Sequence, residues 1–359
     1  MSSLMKDKLS MKHGELIREQ TYEFLNKSPN HILLCEGIDD GFYGTIAELS
    51  THFSSQCYEL PCSENASVGL AISASAYEVT TILCFQRVEF ALLALEQFIN
   101  NAAKNNFLAG GRRPNPCLFR FVIGRGWGQG PSHSQSLETI FAQIPNINVL
   151  MPVFPRDSEF IFKNFVNLTA PTISLEHRWT HFSRDLQDIN LRPHSLSPYV
   201  VKEGLDITIV ATSYNTCIAL KAAHILEDAD VSVEVINMFC IAPFEFSIIR
   251  DSIIKTQHLI VIDLDHSLYS ISSEVLARVI LDGVDLKLPP VRMANHGDYS
   301  PSSATLASEY YLNCSDVVQA VTRMMHCSPI ESIRLVDEAD AFDKKFQSDV
   351  PNQDFHGPF

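Results

Sequence analysis

The chain has 359 residues, 46% of them apolar, and a formal net charge of -15. That is enough apolar material for two buried cores. An acidic balance with no basic run excludes a nucleic-acid groove or an anionic membrane surface as partner. Nine cysteines without a CxxC pair, and no secretory apolar segment, are expected of a reduced cytoplasmic protein with packed thiols and no zinc site. No apolar run reaches the length of a membrane span.

In chain order, a polar leader (1–12) precedes a helical pattern over 13–26. Short apolar runs then recur as "HILLCEGI", "TILCF" (81–85), "CLFRFVI" (117–123), "NVLM" (148–151) and "TISLE" (172–176). Helical stretches lie between them. The clearest is 89–104, where Leu95, Phe98, Ile99 and Ala102 fall on one helical face. This alternation predicts a parallel sheet covered on both faces. Residues 183–204, with Pro193 and Pro198, read as a linker between domains. A second alternating set follows over 205–327: "DITIVATS", a helix from about 216 to 227, "VSVEVINMF", "HLIVIDLD" and a helix around 274–281. The polar, acidic stretch 328–359, ending in "DFHGPF", reads as an extended tail. The fold class expected is therefore α/β, with two doubly wound domains at 13–182 and 205–327.

Two stretches carry possible chemistry. "GRGWGQGPSHSQSLETIF" (124–141) is rich in glycine, yet neither frame completes Gly-x-Gly-x-x-Gly and no P-loop lysine follows. Ser132 with Gln135 matches a capping box, which would set His133 in the first turn of a helix at a strand-to-helix crossover, where open parallel sheets bind ligands. A surface loop with an incidental histidine is the plainer alternative. In "PCSENASVGLAISASA" (61–76), Glu64 heads a helix of small residues suited to close packing against another backbone. Glu64 is then either a carboxylate in a dry interface or an ordinary first-turn acid behind a Ser63 cap.

Glu64 in its Ser-Glu frame, "CFQRVEFALLALEQFINNAAK", "GGRRPNPCLFR" and "HSQS", taken in that order, resemble the beta subunit of thiamine-diphosphate-dependent 2-oxo acid dehydrogenases. "ITIVATSYNTCIALKAAHIL", "VSVEVINMFCIAPFE", "LIVIDLDHSLYSISSEVLARVI" and "YSPSSATLASEYYL" are similar to the transketolase C-terminal domain. The resemblance implies a thiamine-diphosphate pyrimidine-binding domain followed by a transketolase C-terminal-like domain. It further implies a cofactor shared with an alpha subunit that carries Gly-Asp-Gly and the magnesium ligands, in an alpha2beta2 heterotetramer served by a lipoyl acyltransferase. This sequence has no Gly-Asp-Gly.

By the same resemblance Glu64 hydrogen-bonds a pyrimidine nitrogen, Phe90 stacks on the ring, and His133 faces the reacting carbon. Glu36 and Gln86 join the cofactor side, and no metal ligand is expected on this chain. "EHRW" (Glu176, His177, Arg178, Trp179) and Glu36 also read as ordinary structural residues at strand ends. Departures fall at "DHSLYSIS", where relatives carry a glycine-rich turn, at Asn215, and at Gln86 and Arg87, which make the pocket side more polar than in the pyruvate type. A non-oxidative split transketolase, an acyloin-forming carboligase subunit and a non-catalytic scaffold stand as alternatives.

Overall fold

The computed structural model describes residues 11–126, 128–185, 192–296 and 299–344. The first ten residues of the leader, linker residues 186–191 and the closing "DFHGPF" lie outside them. Two compact units emerge. One comprises the chain up to Gly124 and from Gln135 to the linker; the other comprises Arg125–Ser134 and the chain beyond the linker.

In the first unit, strands β1 (His31–Cys35), β2 (Cys57–Glu59), β3 (Thr80–Phe85), β4 (Leu118–Ile123), β5 (Asn148–Leu150) and β6 (Thr172–His177) lie in the order β5-β6-β4-β3-β1-β2. Every pairing among them is parallel. Central β4 and β6 are buried along their whole length, as strands covered on both faces must be. Cys35 pairs with Cys84, Phe85 with Phe121 and Ile123 with His177. The chain therefore leaves the sheet at Glu36, Gln86, Gly124 and Arg178 on one rim.

The continuous helix expected over 89–104 is not formed. Short α-turns (Val88–Ala91, Leu95–Gln97, Asn105–Leu108) alternate with a 3-10 turn (Leu92–Ala94) and a π-turn (Phe98–Ala102). The cause lies in Phe98, which is fully buried with its ring edge-on to Phe119 at 5.0 Å, Phe121 at 5.7 Å and Phe141 at 5.8 Å. Core packing fixes this side chain, and the backbone takes up the mismatch as a π-turn.

The second unit holds β7 (Tyr199–Lys202), β8 (Ile207–Ala211), β9 (Val233–Asn237), β10 (Cys240–Ala242), β11 (Leu259–Ile262) and β12 (Val291–Met293). Its sheet runs β12-β11-β8-β9-β7, parallel except for the antiparallel pair β7 and β9. The end of the predicted linker is thus an edge strand. Its alternating burial was masked by the prolines just before it.

The extended tail is also corrected, because Pro329–Asp343 is a helix. Ser328 Oγ accepts a hydrogen bond from Glu331 N, Pro329 opens the first turn, and Leu335 and Ala339 are fully buried one turn apart. Acidic composition hid this short apolar stripe.

Candidate active site

The candidate residues of the first unit gather on the rim where its strands end. Past β1, the loop from Glu36 turns back through several left-handed residues, Phe42 (φ 44) and Tyr43 (φ 56) among them. Glu59 at the end of β2 anchors that loop by accepting hydrogen bonds from Gly37 N at 2.8 Å and Ile38 N at 2.7 Å. Tyr43 is thereby placed so that its hydroxyl donates to the Gln86 carbonyl at 3.2 Å.

Glu64 is the first residue of the helix Glu64–Ala74 and is only 8% exposed. Ser63 makes no side-chain cap, so the ordinary capped-turn arrangement is not present. Glu64 lies close enough to Glu36 to act on it. Burial pushes the Glu36 carboxyl above its usual range, the Glu64 charge adds to this, and a hydrogen bond with Cys62 opposes it. Glu36 Oε1 is buried without a hydrogen-bond partner among the described residues. Gln86 Nε2 reaches toward the Glu36 carbonyl at 3.5 Å. Phe90, half-buried, sits on the α-turn Val88–Ala91 one step beyond Gln86.

Two arginines complete this rim. Arg87 is 1% exposed and donates to the Gly124 carbonyl at 2.8 Å. Arg178, 3% exposed, lies over the rings of Tyr43 at 4.8 Å and Phe182 at 5.2 Å. Burial draws Arg178 down to about 10, with Tyr43 opposing and Arg87 adding to the shift. Tyr43 was not singled out from the sequence; its signal is the run "GIDDGFYG", whose glycines mark a tightly turned loop.

His133 is placed differently from expectation. The capping box is absent: residues 131–133 form a turn, the helix begins only at Glu138, and Gln135 N donates instead to Glu89 Oε1 at 2.8 Å. The carboxylate of Glu89 takes the N–H that a Ser132 cap would have satisfied. His133 belongs to the segment grouped with the second unit, whereas Glu36, Glu64, Gln86 and Phe90 belong to the first. The glycines of that segment have a packing role. A Cβ at Gly128 would stand 2.5 Å from the Ser302 carbonyl oxygen, and one at Gly130 would stand 2.2 Å from Ser302 Oγ. Both have positive φ.

Among the described residues no group of three or more His, Cys, Asp or Glu side chains is arranged to hold a metal ion. The nine cysteines are free thiols.

Residues 10–180 match the family described as "Transketolase, pyrimidine binding domain", and residues 199–317 match "Transketolase, C-terminal domain". Among curated relatives, the mitochondrial pyruvate dehydrogenase E1 component subunit beta of Caenorhabditis elegans is 29% identical over 77% of this chain and 80% of its own length. The Saccharomyces cerevisiae counterpart is 28% identical over 74% of this chain and 75% of its own. The human one is 26% identical over 75% and 77%. A solved structure titled "Split gene transketolase, inactive beta4 tetramer" shares the fold with a TM-score of 0.69 and 17% identity, covering 92% of this chain and 98% of that one. The chain therefore belongs to the transketolase-like family that contains the pyruvate dehydrogenase E1 beta subunits, with a pyrimidine-binding domain followed by a transketolase C-terminal domain.

Proposed function

We propose that this chain is the beta half of a thiamine-diphosphate-dependent 2-oxo acid dehydrogenase and supplies the pyrimidine side of a site completed by an alpha subunit carrying Gly-Asp-Gly and the magnesium ligands. The observation that carries the reading is the pair Glu64 and Glu36. One is a buried carboxylate at a helix start, and the other presents a buried oxygen without a hydrogen-bond partner among the described residues. An aminopyrimidine offers an amine N–H and, once its ring nitrogen is protonated, a ring N–H as donors to two such acceptors, so these residues fit the cofactor. When bound, thiamine diphosphate supplies a carbon nucleophile that attacks a 2-oxo acid and carries the electrons released on loss of carbon dioxide.

This chain's share is to bind and to move protons. Glu64 holds the proton at the pyrimidine nitrogen, where a low-dielectric setting strengthens the hydrogen bond. Phe90 offers a ring face for stacking, and Gln86 fixes the Glu36 backbone at the strand end. His133 handles a proton at the acyl-transfer step, with lipoamide on an acyltransferase partner as the acceptor. The assembly proposed is alpha2beta2. The free thiols suit a reducing compartment, for which we propose the cytoplasm; cell fractionation decides between it and the mitochondrion named for the relatives.

A second reading, non-oxidative transfer by a split transketolase or carboligase, is favoured by Arg87 and Arg178, which bring two buried cations to the rim and would suit an anionic or sugar-like substrate. Product analysis with and without a lipoyl carrier separates the two.

The deciding experiment is calorimetric titration of thiamine diphosphate and magnesium into this chain alone and into the pair formed with a Gly-Asp-Gly chain from a neighbouring reading frame. Tight binding by the pair only is expected. Glu64→Gln in the pair should cut turnover by about two orders of magnitude or more. Undiminished turnover would leave a scaffold role.

A further inference from the structure

The broken helical segment that begins at Val88 does more than present Phe90. Between its π-turn and the helix Glu138–Ala142 lies an open groove of about 910 Å³, walled by Leu95, Ile99, Phe107, Ile140 and Ile144. Its apolar surface continues outward, since Phe107 is 82% exposed and Leu108 is 75% exposed. Neighbouring turns add exposed Leu93 and, on the helix Glu64–Ala74, Leu70. Gln97 ties these two elements together through Asn65 Oδ1 at 3.2 Å. A groove lined by apolar side chains, with further exposed apolar residues on the neighbouring turns, marks an interaction site.

Charge adds a second constraint. The chain as a whole is at -15, yet from Phe98 to Pro116 it carries Lys104, Arg112 and Arg113 and no acid. The opposite wall, 140–146, has no charged residue. The groove is therefore an apolar trough with a cationic rim on an acidic protein. In a two-fold contact a second copy would set this cationic rim against its own Lys104, Arg112 and Arg113, a poor electrostatic match.

We infer that this groove seats an apolar, acid-flanked segment of the alpha subunit. The inference rests on the reading that the catalytic unit is a pair of chains. Glu64 and Phe90, which would meet a cofactor held mainly by the partner, lie on the same helical layer as Leu70, Leu93 and Ile99. The partner must come to this layer to complete the site, and the groove is where the layer offers it apolar purchase.

The test uses the co-purified pair, with Ile99→Glu and Phe107→Glu in this chain. Leu281→Glu, at an exposed position of the second unit, serves as the control. Thermal melts of the isolated variants verify folding. The groove variants should weaken association by at least about tenfold, and the control should not. Arg112→Glu with Arg113→Glu should slow association and flatten its salt dependence.

Unchanged affinity in the groove variants would overturn the inference. So would loss of self-association with the pair left intact, which would assign the groove to a second copy. A small molecule seen by native mass spectrometry on the wild-type chain and lost in Phe107→Glu, with pairing unaffected, would overturn it as well. If the wild-type pair assembles through the groove but binds no thiamine diphosphate, the functional reading falls and the interface stands.

Discussion

His177 Nε2 occupies the space a side chain on Gly124 would need: a Cβ built there would lie 2.2 Å from it. Gly124 has φ +86, so both the backbone and the neighbour demand glycine. The ring is held in place by its Nδ1, which accepts from Trp179 N at 3.1 Å. Gly124→Ala should destabilise the first unit by about 2–4 kcal/mol, combining left-handed strain with the clash. Because Arg87 donates to the Gly124 carbonyl, Arg87 should move as well. Thermal denaturation of Gly124→Ala with and without His177→Ala checks the cause. Partial recovery in the double variant is expected, and none would mean that backbone strain alone is responsible.

Arg120 and Glu176 form a fully buried pair inside the first sheet, joined at 2.8 Å through both Nε to Oε1 and Nη2 to Oε2. Burial alone would raise the Glu176 carboxyl; the Arg120 charge and hydrogen bonds, with His181, hold it well below the usual range. Thr45 Oγ1 accepts from Arg120 at 2.9 Å, and the guanidinium lies over Phe42 at 5.3 Å. The pair thus ties the rim loop to the sheet. Glu176→Gln should cost about 3–5 kcal/mol in urea unfolding, because it leaves a buried cation uncompensated. The double replacement Arg120→Met with Glu176→Leu should cost much less. Equal losses in the two would mean that the charge is unimportant.

The alternation of strands and the strand-end position of Glu36 were legible because buried parallel strands are nearly continuous apolar runs and their ends are where polar residues resume, whereas Glu64 and Gln86 were assigned through the family resemblance. What was not legible depended on partners distant in sequence. The π-turn at Phe98 answers to Phe119, Phe121 and Phe141. The expected cap at Ser132 was displaced by Glu89, whose carboxylate takes the Gln135 N–H. The missing side chains of Gly128 and Gly130 make room for Ser302. Local pattern cannot announce a neighbour that tertiary folding brings in.

The first helix, His13–Lys27, starts at a buried titratable group. His13 Nε2 is 2.6 Å from Ser158 Oγ and Nδ1 is 3.1 Å from the Thr180 carbonyl. Burial, reinforced by His181 and opposed by Glu176, pushes His13 down to about 3 from an ordinary 6.5. The unfolded chain therefore binds a proton that the folded chain refuses. Stability from this group is complete above about pH 6.5 and is lost as pH falls toward 3, with a slope of up to about 1.4 kcal/mol per pH unit. His181, also lowered chiefly by burial, acts in the same direction. Melts between pH 7.5 and 5 should show a steeper decline in wild type than in His13→Gln. Parallel curves would rule out His13 as the cause.

The helix Pro329–Asp343 is part of the second unit's core, which makes its loss measurable. Leu335 and Ala339 are fully buried, and Asp343 accepts from Cys314 N at 3.4 Å and Ser315 N at 3.1 Å, satisfying the first turn of the helix Cys314–Met324. Lys221 adds a contact over Phe342 at 4.6 Å. Leu335→Ala should cost about 2–4 kcal/mol through the cavity it opens. Asp343→Asn keeps the size but gives up the charge at a helix start, at about 0.5–1 kcal/mol. Truncation after Cys327 should cost more than either and raise proteolysis around 314–324. If the truncated chain melts like the full one, the segment is an appendage as its composition suggested, and the burial of Leu335 contributes nothing to holding the unit together.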